Sequence, residues 1–339
     1  MTKHSDLFSD PEWFLAAFDA GKEQFSFIKT SLPTLLSAPF HDGRSNLSVD
    51  DTTRIVSLDQ AVSWQRLQSK TESPNRVIIH ISFCGSTLLT KALGLDNQNL
   101  AYCEPQALID LANLKANRHT ITQRGDLWNQ VLNFSFGQFR KHWRQQRAAF
   151  VKPSNWANNI MPDALSAQSQ SRCVLIDFDI ESYLVANLRG GQGRLGYSLE
   201  LLNHLAKQNT HCKSLAKNVE SMPLTPIQRV LHLLAVTFNA QQQCLSAIAG
   251  NGDHVLRLSK EHLLESPEES LTKVANLLDI DFAGAHLMPD LDNLFKSNVK
   301  AEATLGFSQA EEHSQNTYIQ QEFGADIAQV VQWYETITS

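Results

Sequence analysis

Short apolar runs that alternate with long helical patterns constrain the fold of this chain more than any other feature. From residue 76 onward, β-branched residues cluster in short segments, and longer stretches with apolar residues at helical spacing separate them. This alternation is typical of βαβ units, and it predicts an α/β fold with a parallel central sheet between two layers of helices. The predicted strands are residues 76–82, 100–103, 148–152, 172–178 and 254–259.

The stretches between these strands predict scaffold helices. Residues 126–147 and 225–249 carry apolar residues at helical spacing. A further helix is predicted to begin at Ser266 and Pro267, because serine is a favoured N-cap and proline suits the first helical position.

The first seventy residues differ from the rest of the chain. They are rich in aromatic residues and include a turn-rich stretch at 41–46, without the alternation of strands and helices seen later. We therefore predict an irregular N-terminal accessory segment at 1–70, followed by the principal domain at 71–339.

Composition narrows the class of protein. Hydrophobic residues make up 42% and charged residues 19% of the 339 residues, which is typical of a globular protein with a sizeable core. The net charge of -6 argues against a broad nucleic-acid-binding face, because such faces draw on clustered lysine and arginine. We expect no nucleic-acid partner.

The cysteines and the apolar stretches indicate the compartment. The five cysteines form neither a Cys-x-x-Cys pair nor a Cys/His cluster, so we expect reduced thiols and no metal. The polar first residues are unlike a signal peptide, which predicts a cytoplasmic protein. The most apolar helical stretch, 230–238, is far shorter than the roughly 20 residues that cross a bilayer, so no membrane insertion is expected.

The segment after the first predicted strand has the order that an anion site needs. The strand breaks at Ser82, passes through Gly85, and opens a helix at Ser86 and Thr87. Free backbone N–H groups and the positive end of the helix dipole meet there, and Gly85 lets the backbone approach an anion closely. Alternatively, Gly85 only makes a turn and the hydroxyls only cap the helix. The Gly-Lys-Ser/Thr motif of ATP- and GTP-hydrolysing loops is absent.

Residues 83–89, Phe-Cys-Gly-Ser-Thr-Leu-Leu, resemble the Gly-Ser-Thr-Leu-Leu loop of sulfotransferases. The resemblance covers roughly residues 76–280, and the whole chain is most similar to a bacterial branch of that superfamily. It implies a P-loop fold whose loop grips the 5′-phosphosulfate of 3′-phosphoadenosine-5′-phosphosulfate. The residues that it assigns to this donor are Ser82, Cys84, Gly85, Ser86, Thr87 and Leu88.

Two further residues follow predicted strands at the edge where ligands bind in open α/β sheets. Glu104 resembles the acidic residue that takes the proton of the acceptor hydroxyl in several sulfotransferases, although it also stands where a cap of the next helix would. Lys152 precedes a proline, as in many sulfotransferase-like chains, and would stabilise charge on the leaving phosphate. The alternative for Lys152 is a solvated lysine at a strand end.

The chain also departs from the family pattern. Phe83 replaces the basic residue of the loop, and Phe178 and Ala186 occupy the places of the arginine and serine that hold the 3′-phosphate in the family. Arg189 and Arg194 flank a glycine-rich stretch, which we expect to be a flexible turn that folds over an anion. The alternative is a helix end followed by a surface loop.

The resemblance implies a transferase that moves a sulfuryl group from 3′-phosphoadenosine-5′-phosphosulfate to a hydroxyl or amine of a small-molecule acceptor, without a metal. Two other interpretations remain open. One is a nucleotide-dependent phosphotransferase with a remodelled loop, for which Asp177 and Asp179 are the available Mg²⁺ ligands. The other is a nucleotide-binding protein of the same fold without catalysis.

Overall fold

The N-terminal segment folds around a small antiparallel sheet. This computed structural model describes residues 5–67, 73–168, 170–249, 252–282, 291, 294 and 309–338. The N-terminal segment begins with helix α1. Strands β1, β2 and β3 then pair in that order. The bounds are Ser5–Ser9 for α1, Trp13–Asp19 for β1, Gln24–Lys29 for β2, Leu32–Ser37 for α2, Thr53–Ser57 for β3 and Leu58–Leu67 for α3.

The prediction of an irregular segment was therefore wrong. Phe25 and Phe27 alternate with half-buried neighbours on β2, and both are fully buried. Their rings meet Phe134, which belongs to the principal domain. The segment thus shares one continuous hydrophobic core with the rest of the chain.

The principal domain is built on a five-stranded parallel sheet in the order β5-β6-β4-β7-β8. Strand β4 lies in the middle and is buried on both faces, as expected for a central parallel strand. The α/β fold with a parallel central sheet is confirmed. The strands are β4, Arg76–His80; β5, Asn99–Cys103; β6, Ala148–Lys152; β7, Arg172–Asp177; and β8, Val255–Ser259.

Helices cover both faces of this sheet. They are α4, Ser86–Leu93; α5, Gln106–Ala116; α6, Gly125–Gln138; α7, Met161–Ala167; α8, Ile180–Arg189; α9, Gly191–Ala206; α10, Thr210–Ser221; α11, Pro226–Ala249; α12, Lys260–Glu265; α13, Pro267–Leu278; and α14, Gln309–Thr338. The crossovers from β4 to β5 and from β6 to β7 run in opposite directions. Because such connections are right-handed, α4 and α7 lie on opposite faces of the sheet. Strand β4 lies at the point where the strand order reverses.

Helix α6 ends at Gln138, so the predicted helix at 126–147 was too long. Beyond it, the Tyr102 hydroxyl donates to the carbonyl of Lys141, and the Arg147 N–H donates to the carbonyl of Gln98. These bonds, to β5 and to Gln98 directly before it, keep the chain beyond Gln138 from continuing as a helix. In the described ranges, no helix is long and apolar enough to cross a membrane.

Candidate functional site

The strand–loop–helix unit at residues 82–87, here called the anion loop, joins β4 to α4. Gly85 has a φ of +85° and is the N-cap of α4, and Phe83 has a φ of +69°. A side chain at position 85 would strain this left-handed backbone. The loop therefore needs glycine at this turn.

The start of the anion loop is tied to the helical layer. The backbone N–H and hydroxyl of Ser82 both donate to Oε1 of Gln241, at 3.0 Å each. The Asn155 amide donates to the Ser82 hydroxyl at 2.8 Å, and the Tyr197 hydroxyl donates to Asn155. This buried network fixes the loop against α11 and α9 and satisfies the first N–H internally.

The first turn of α4 carries donors that the protein leaves unused. Within the described residues, the N–H groups of Gly85, Ser86 and Thr87 have no hydrogen-bond acceptor. The hydroxyls of Ser86 and Thr87 have no hydrogen-bond partner among these residues either. Both residues are more than nine-tenths buried. Because Gly85 is the N-cap, the alternative in which these hydroxyls merely cap the helix is wrong. Such a cluster of donors suits an anion.

The other predicted loop residues have different surroundings. Cys84 is fully buried in the hydrophobic core, and Leu88 is half-buried on the first turn of α4. Their assignment to the donor stays a prediction.

Two cations lie against the anion loop. The Arg194 guanidinium lies 4.8 Å from the ring centroid of Phe83 and donates to the carbonyl of Ala186. The Lys260 ammonium lies 5.4 Å from the ring centroid of Phe178, and its Cγ is 3.8 Å from where a Cβ on Gly85 would be. Two basic residues from other elements thus border the anion loop, whose own sequence has none.

Arg189 points elsewhere. Its guanidinium pairs with Glu312 at 2.6 Å and donates to Asn316, both on α14. The glycine-rich stretch between Arg189 and Arg194 is also not a flexible turn, because α9 begins at Gly191 and continues through it. Only Arg194 of the two arginines contacts the anion loop in the part of the chain described.

Glu104 and Lys152 are brought together at the carboxyl edge of the sheet. The Lys152 ammonium lies 2.5 Å from Oε1 of Glu104, and its side chain is wholly buried. The Arg44 guanidinium donates to Oε2 of Glu104 at 2.9 Å. Lys152 is therefore not a solvated strand-end lysine. Helix α5 has Pro105 as its N-cap without a side-chain cap, so Glu104 is not a cap either.

The surroundings of Glu104 hold it ionised. Burial opposes the charged form, but the charges of Lys152, His80 and Arg44 outweigh burial and lower the pKa of Glu104 to about 2. Both ring nitrogens of His80 face carbonyl oxygens, those of Ile81 at 3.0 Å and Pro153 at 3.1 Å.

Arg44 reaches this site because the N-terminal segment is pinned to β5. His41 donates its backbone N–H to the carbonyl of Cys103 at 2.7 Å, and its Nδ1 accepts from the N–H of Cys103. The remaining ring nitrogen donates to the carbonyl of Leu35. Burial lowers the pKa of His41 to about 4, so the neutral ring that this pattern requires is favoured at neutral pH.

The carboxylates proposed for Mg²⁺ are engaged by the protein. Asp177 pairs with Arg257 and accepts from Gln242. Asp179 caps α8 by accepting from the N–H of Ser182 at 2.8 Å. Across the described ranges, no group of three or more His, Cys, Asp or Glu side chains is arranged to hold a metal ion.

Three residues of the site, Lys260, Gln241 and Arg44, were not predicted from the sequence. Lys260 directly follows the last parallel strand, and that position at the carboxyl edge of the sheet was the available signal. Gln241 lies inside a long helix and Arg44 in a remote turn, so no local pattern marks them.

Comparisons with known proteins find sulfotransferases among solved structures. The chain is similar to a sulfotransferase domain from the curacin biosynthetic pathway (13% identity, TM-score 0.35, covering 75% of this chain and 99% of that chain). It is also similar to the sulfotransferase domain of the Synechococcus PCC 7002 olefin synthase (12%, 0.37, 79% and 96%) and to a sulfotransferase from Alicyclobacillus acidocaldarius (11%, 0.31, 78% and 97%).

No family model matches the chain, and no curated protein matches it either. At identities and TM-scores this low, the activity of the structural neighbours does not transfer to this chain. The resemblance to a bacterial branch of the superfamily stays a prediction.

Proposed function

We propose that this chain is a sulfotransferase-like enzyme that moves a sulfuryl group from 3′-phosphoadenosine-5′-phosphosulfate to a hydroxyl or amine of a small-molecule acceptor. The observation that carries the proposal is the anion loop, in which a left-handed Gly85 precedes unused donors on Ser86 and Thr87. The sulfotransferase-like motif of the loop supports the choice of donor.

The proposed reaction is an in-line displacement at sulfur. The acceptor oxygen or nitrogen forms a bond to sulfur while the bond from sulfur to the bridging phosphate oxygen breaks. The bridging oxygen keeps the electron pair and leaves as part of 3′-phosphoadenosine 5′-phosphate, and the acceptor loses its proton to a base. N–H groups of the anion loop would stabilise the charge that grows on the phosphate.

Glu104 and Lys152 have roles in this proposal only when their ion pair opens. A carboxylate with a pKa of about 2 is a weak base, and a lysine bonded to it is not free to meet a phosphate. We propose that the bound acceptor separates the pair, which raises the basicity of Glu104 and frees the Lys152 ammonium for the leaving group.

Isothermal calorimetry and thermal unfolding of the full chain test the donor assignment. We expect 3′-phosphoadenosine 5′-phosphate to bind without Mg²⁺ and to raise Tm, because backbone donors replace a metal in the anion loop. ATP should raise Tm less. A shift that requires both ATP and Mg²⁺, with none from the bisphosphate, would favour the phosphotransferase. Binding without transfer to any acceptor in a broad panel would favour the non-catalytic protein.

A further inference from the structure

Glu104 has a left-handed backbone, with a φ of +55°. A residue with a side chain keeps this conformation only where its surroundings impose it, and such residues cluster at functional sites. His41 of the N-terminal segment imposes it here. Its N–H donates to the carbonyl of Cys103 at 2.7 Å, and its carbonyl accepts from the N–H of Gln106 at 3.1 Å. One residue of the N-terminal segment thus holds the chain on both sides of Glu104.

The two oxygens of the Glu104 carboxylate bind different cations. Oε1 accepts from Lys152 at 2.5 Å, and Oε2 accepts from Arg44 at 2.9 Å. Lys152 pairs with no other carboxylate in the part of the chain described. Nε of Arg44, in contrast, also donates to both carboxylate oxygens of Asp42 at 2.8 Å, and its guanidinium lies 3.7 Å from the ring centroid of Phe40. Arg44 therefore has support of its own and stays in place if Glu104 or Lys152 moves.

The charged and titratable groups around Glu104 come from five elements. They are Asp42 and Arg44 of the N-terminal segment, His80 on β4, Cys103 on β5, Lys152 on β6 and Tyr197 on α9. Once Lys152 has left, Arg44 is the cation that remains hydrogen-bonded to the carboxylate among the residues described. An anionic donor bound nearby raises the pKa of a carboxylate, because like charges oppose each other. Without a bonded cation, Glu104 would take a proton from water and could not take one from the acceptor.

We propose that Arg44 is a positioning residue that holds the Glu104 carboxylate by Oε2 while Oε1, released by Lys152, takes the proton of the acceptor. The bond from hydrogen to the acceptor oxygen or nitrogen breaks, the proton goes to Oε1, and the electron pair supports the new bond to sulfur. The N-terminal segment is thereby part of the active site. This proposal rests on the proposed function, in which the ion pair between Glu104 and Lys152 opens.

The variant Lys152→Met imitates the open ion pair in the full chain, because it leaves Arg44 as the partner of Glu104. NMR with carboxyl-labelled glutamate measures the pKa of Glu104, whose signal is the one that Glu104→Gln removes. We expect this pKa to stay below the ordinary 4.5 in Lys152→Met and to rise by about 1 unit or more in Lys152→Met/Arg44→Gln, because the buried carboxylate loses its bonded cation. Addition of 3′-phosphoadenosine 5′-phosphate should raise it further in the double variant.

Two control variants are made in the Lys152→Met background. Arg44→Lys keeps the charge and should keep most of the lowered pKa of Glu104. Arg54→Gln removes an arginine of the same segment that lies over a tryptophan ring, as Arg44 lies over a phenylalanine, and it should leave the pKa unchanged. Urea unfolding checks that each variant is folded. Asp42→Asn/Arg44→Gln removes both charges and takes the place of Arg44→Gln if the unpaired Asp42 unfolds the protein.

Two outcomes would overturn the proposal. One is an equal pKa of Glu104 in Lys152→Met and in the folded Lys152→Met/Arg44→Gln protein, since Arg44 would then not hold the carboxylate. The other is an equal rise in pKa from Arg54→Gln and Arg44→Gln, since the effect would then be that of net charge. Absence of bisphosphate binding to the wild type would instead refute the donor assignment, so the two proposals can fail separately.

Discussion

The ammonium of Lys152 lies 2.5 Å from Oε1 of Glu104, and this lysine is among the largest fully buried side chains in the described ranges. A buried charge without its partner is costly, whereas removal of both charges is often nearly neutral. The pair therefore makes any single substitution at either residue a test of stability as well as of chemistry.

Glu104→Gln should lower the free energy of unfolding by about 3 kcal/mol, because the Lys152 charge loses its partner in a buried site. The double variant Glu104→Gln/Lys152→Met should recover most of this loss. Urea unfolding of both single variants and the double variant measures the coupling. A Glu104→Gln protein as stable as the wild type would show that the ion pair contributes nothing.

The ion pair of Glu104 should make the stability of the fold depend on pH in the acid range. Its folded pKa of about 2 lies below the ordinary value of 4.5, so the pair stabilises the fold above about pH 4.5. This contribution is lost as the pH falls from there toward 2. Urea unfolding between pH 6 and 3 should give a smaller acid loss in Glu104→Gln/Lys152→Met than in the wild type. Equal losses would contradict the lowered pKa.

His41 should make the stability of the fold depend on pH in a higher pH range than Glu104 does. Its folded pKa of about 4 lies below the ordinary value of 6.5, so its neutral form stabilises the fold above about pH 6.5, and this is lost as the pH falls to 4. Burial also lowers the pKa of His204 to about 4. His41→Asn should reduce the slope of stability against pH in this window, and His41→Asn/His204→Asn should reduce it further. An unchanged slope in both variants would refute the assignment.

Gly85→Val should abolish anion binding and cost about 1–3 kcal/mol of stability, because valine is strained at a φ of +85°. Gly43→Val is the matched control, since Gly43 has a φ of +86° and open space around it. The control should lose similar stability but still bind 3′-phosphoadenosine 5′-phosphate in calorimetry. Unchanged affinity in a folded Gly85→Val protein would show that the loop is not the anion site.

Gln241→Met should weaken ligand binding about 10-fold, because the N–H and hydroxyl of Ser82 lose the acceptor that positions the loop. The residue lies away from the first turn of α4, so the effect would act through loop geometry. Calorimetry measures the affinity, and hydrogen exchange should show faster opening at Ser82. Wild-type affinity in this variant would show that the tether does not position the site.

Much of the fold could be predicted because its signals are local. The β6 bounds matched the structure, and β4, β5, β7 and β8 differed by one or two residues at their ends, since buried parallel strands are continuous apolar runs. Helix α6 was predicted too long, because its end is set by hydrogen bonds to β5 and to the residue directly before β5. The N-terminal sheet was missed, because its aromatic residues are fixed by a shared core.

The sequence by itself determined the α/β class, the strand–loop–helix order and the need for glycine at position 85, because each depends on neighbouring residues and backbone sterics. Tertiary structure alone decided which charges meet. It paired Glu104 with Lys152 and brought Lys260 to the loop from a distant part of the chain. Parallel strands bring their carboxyl ends to one edge, and the side chains that gather there come from distant parts of the chain.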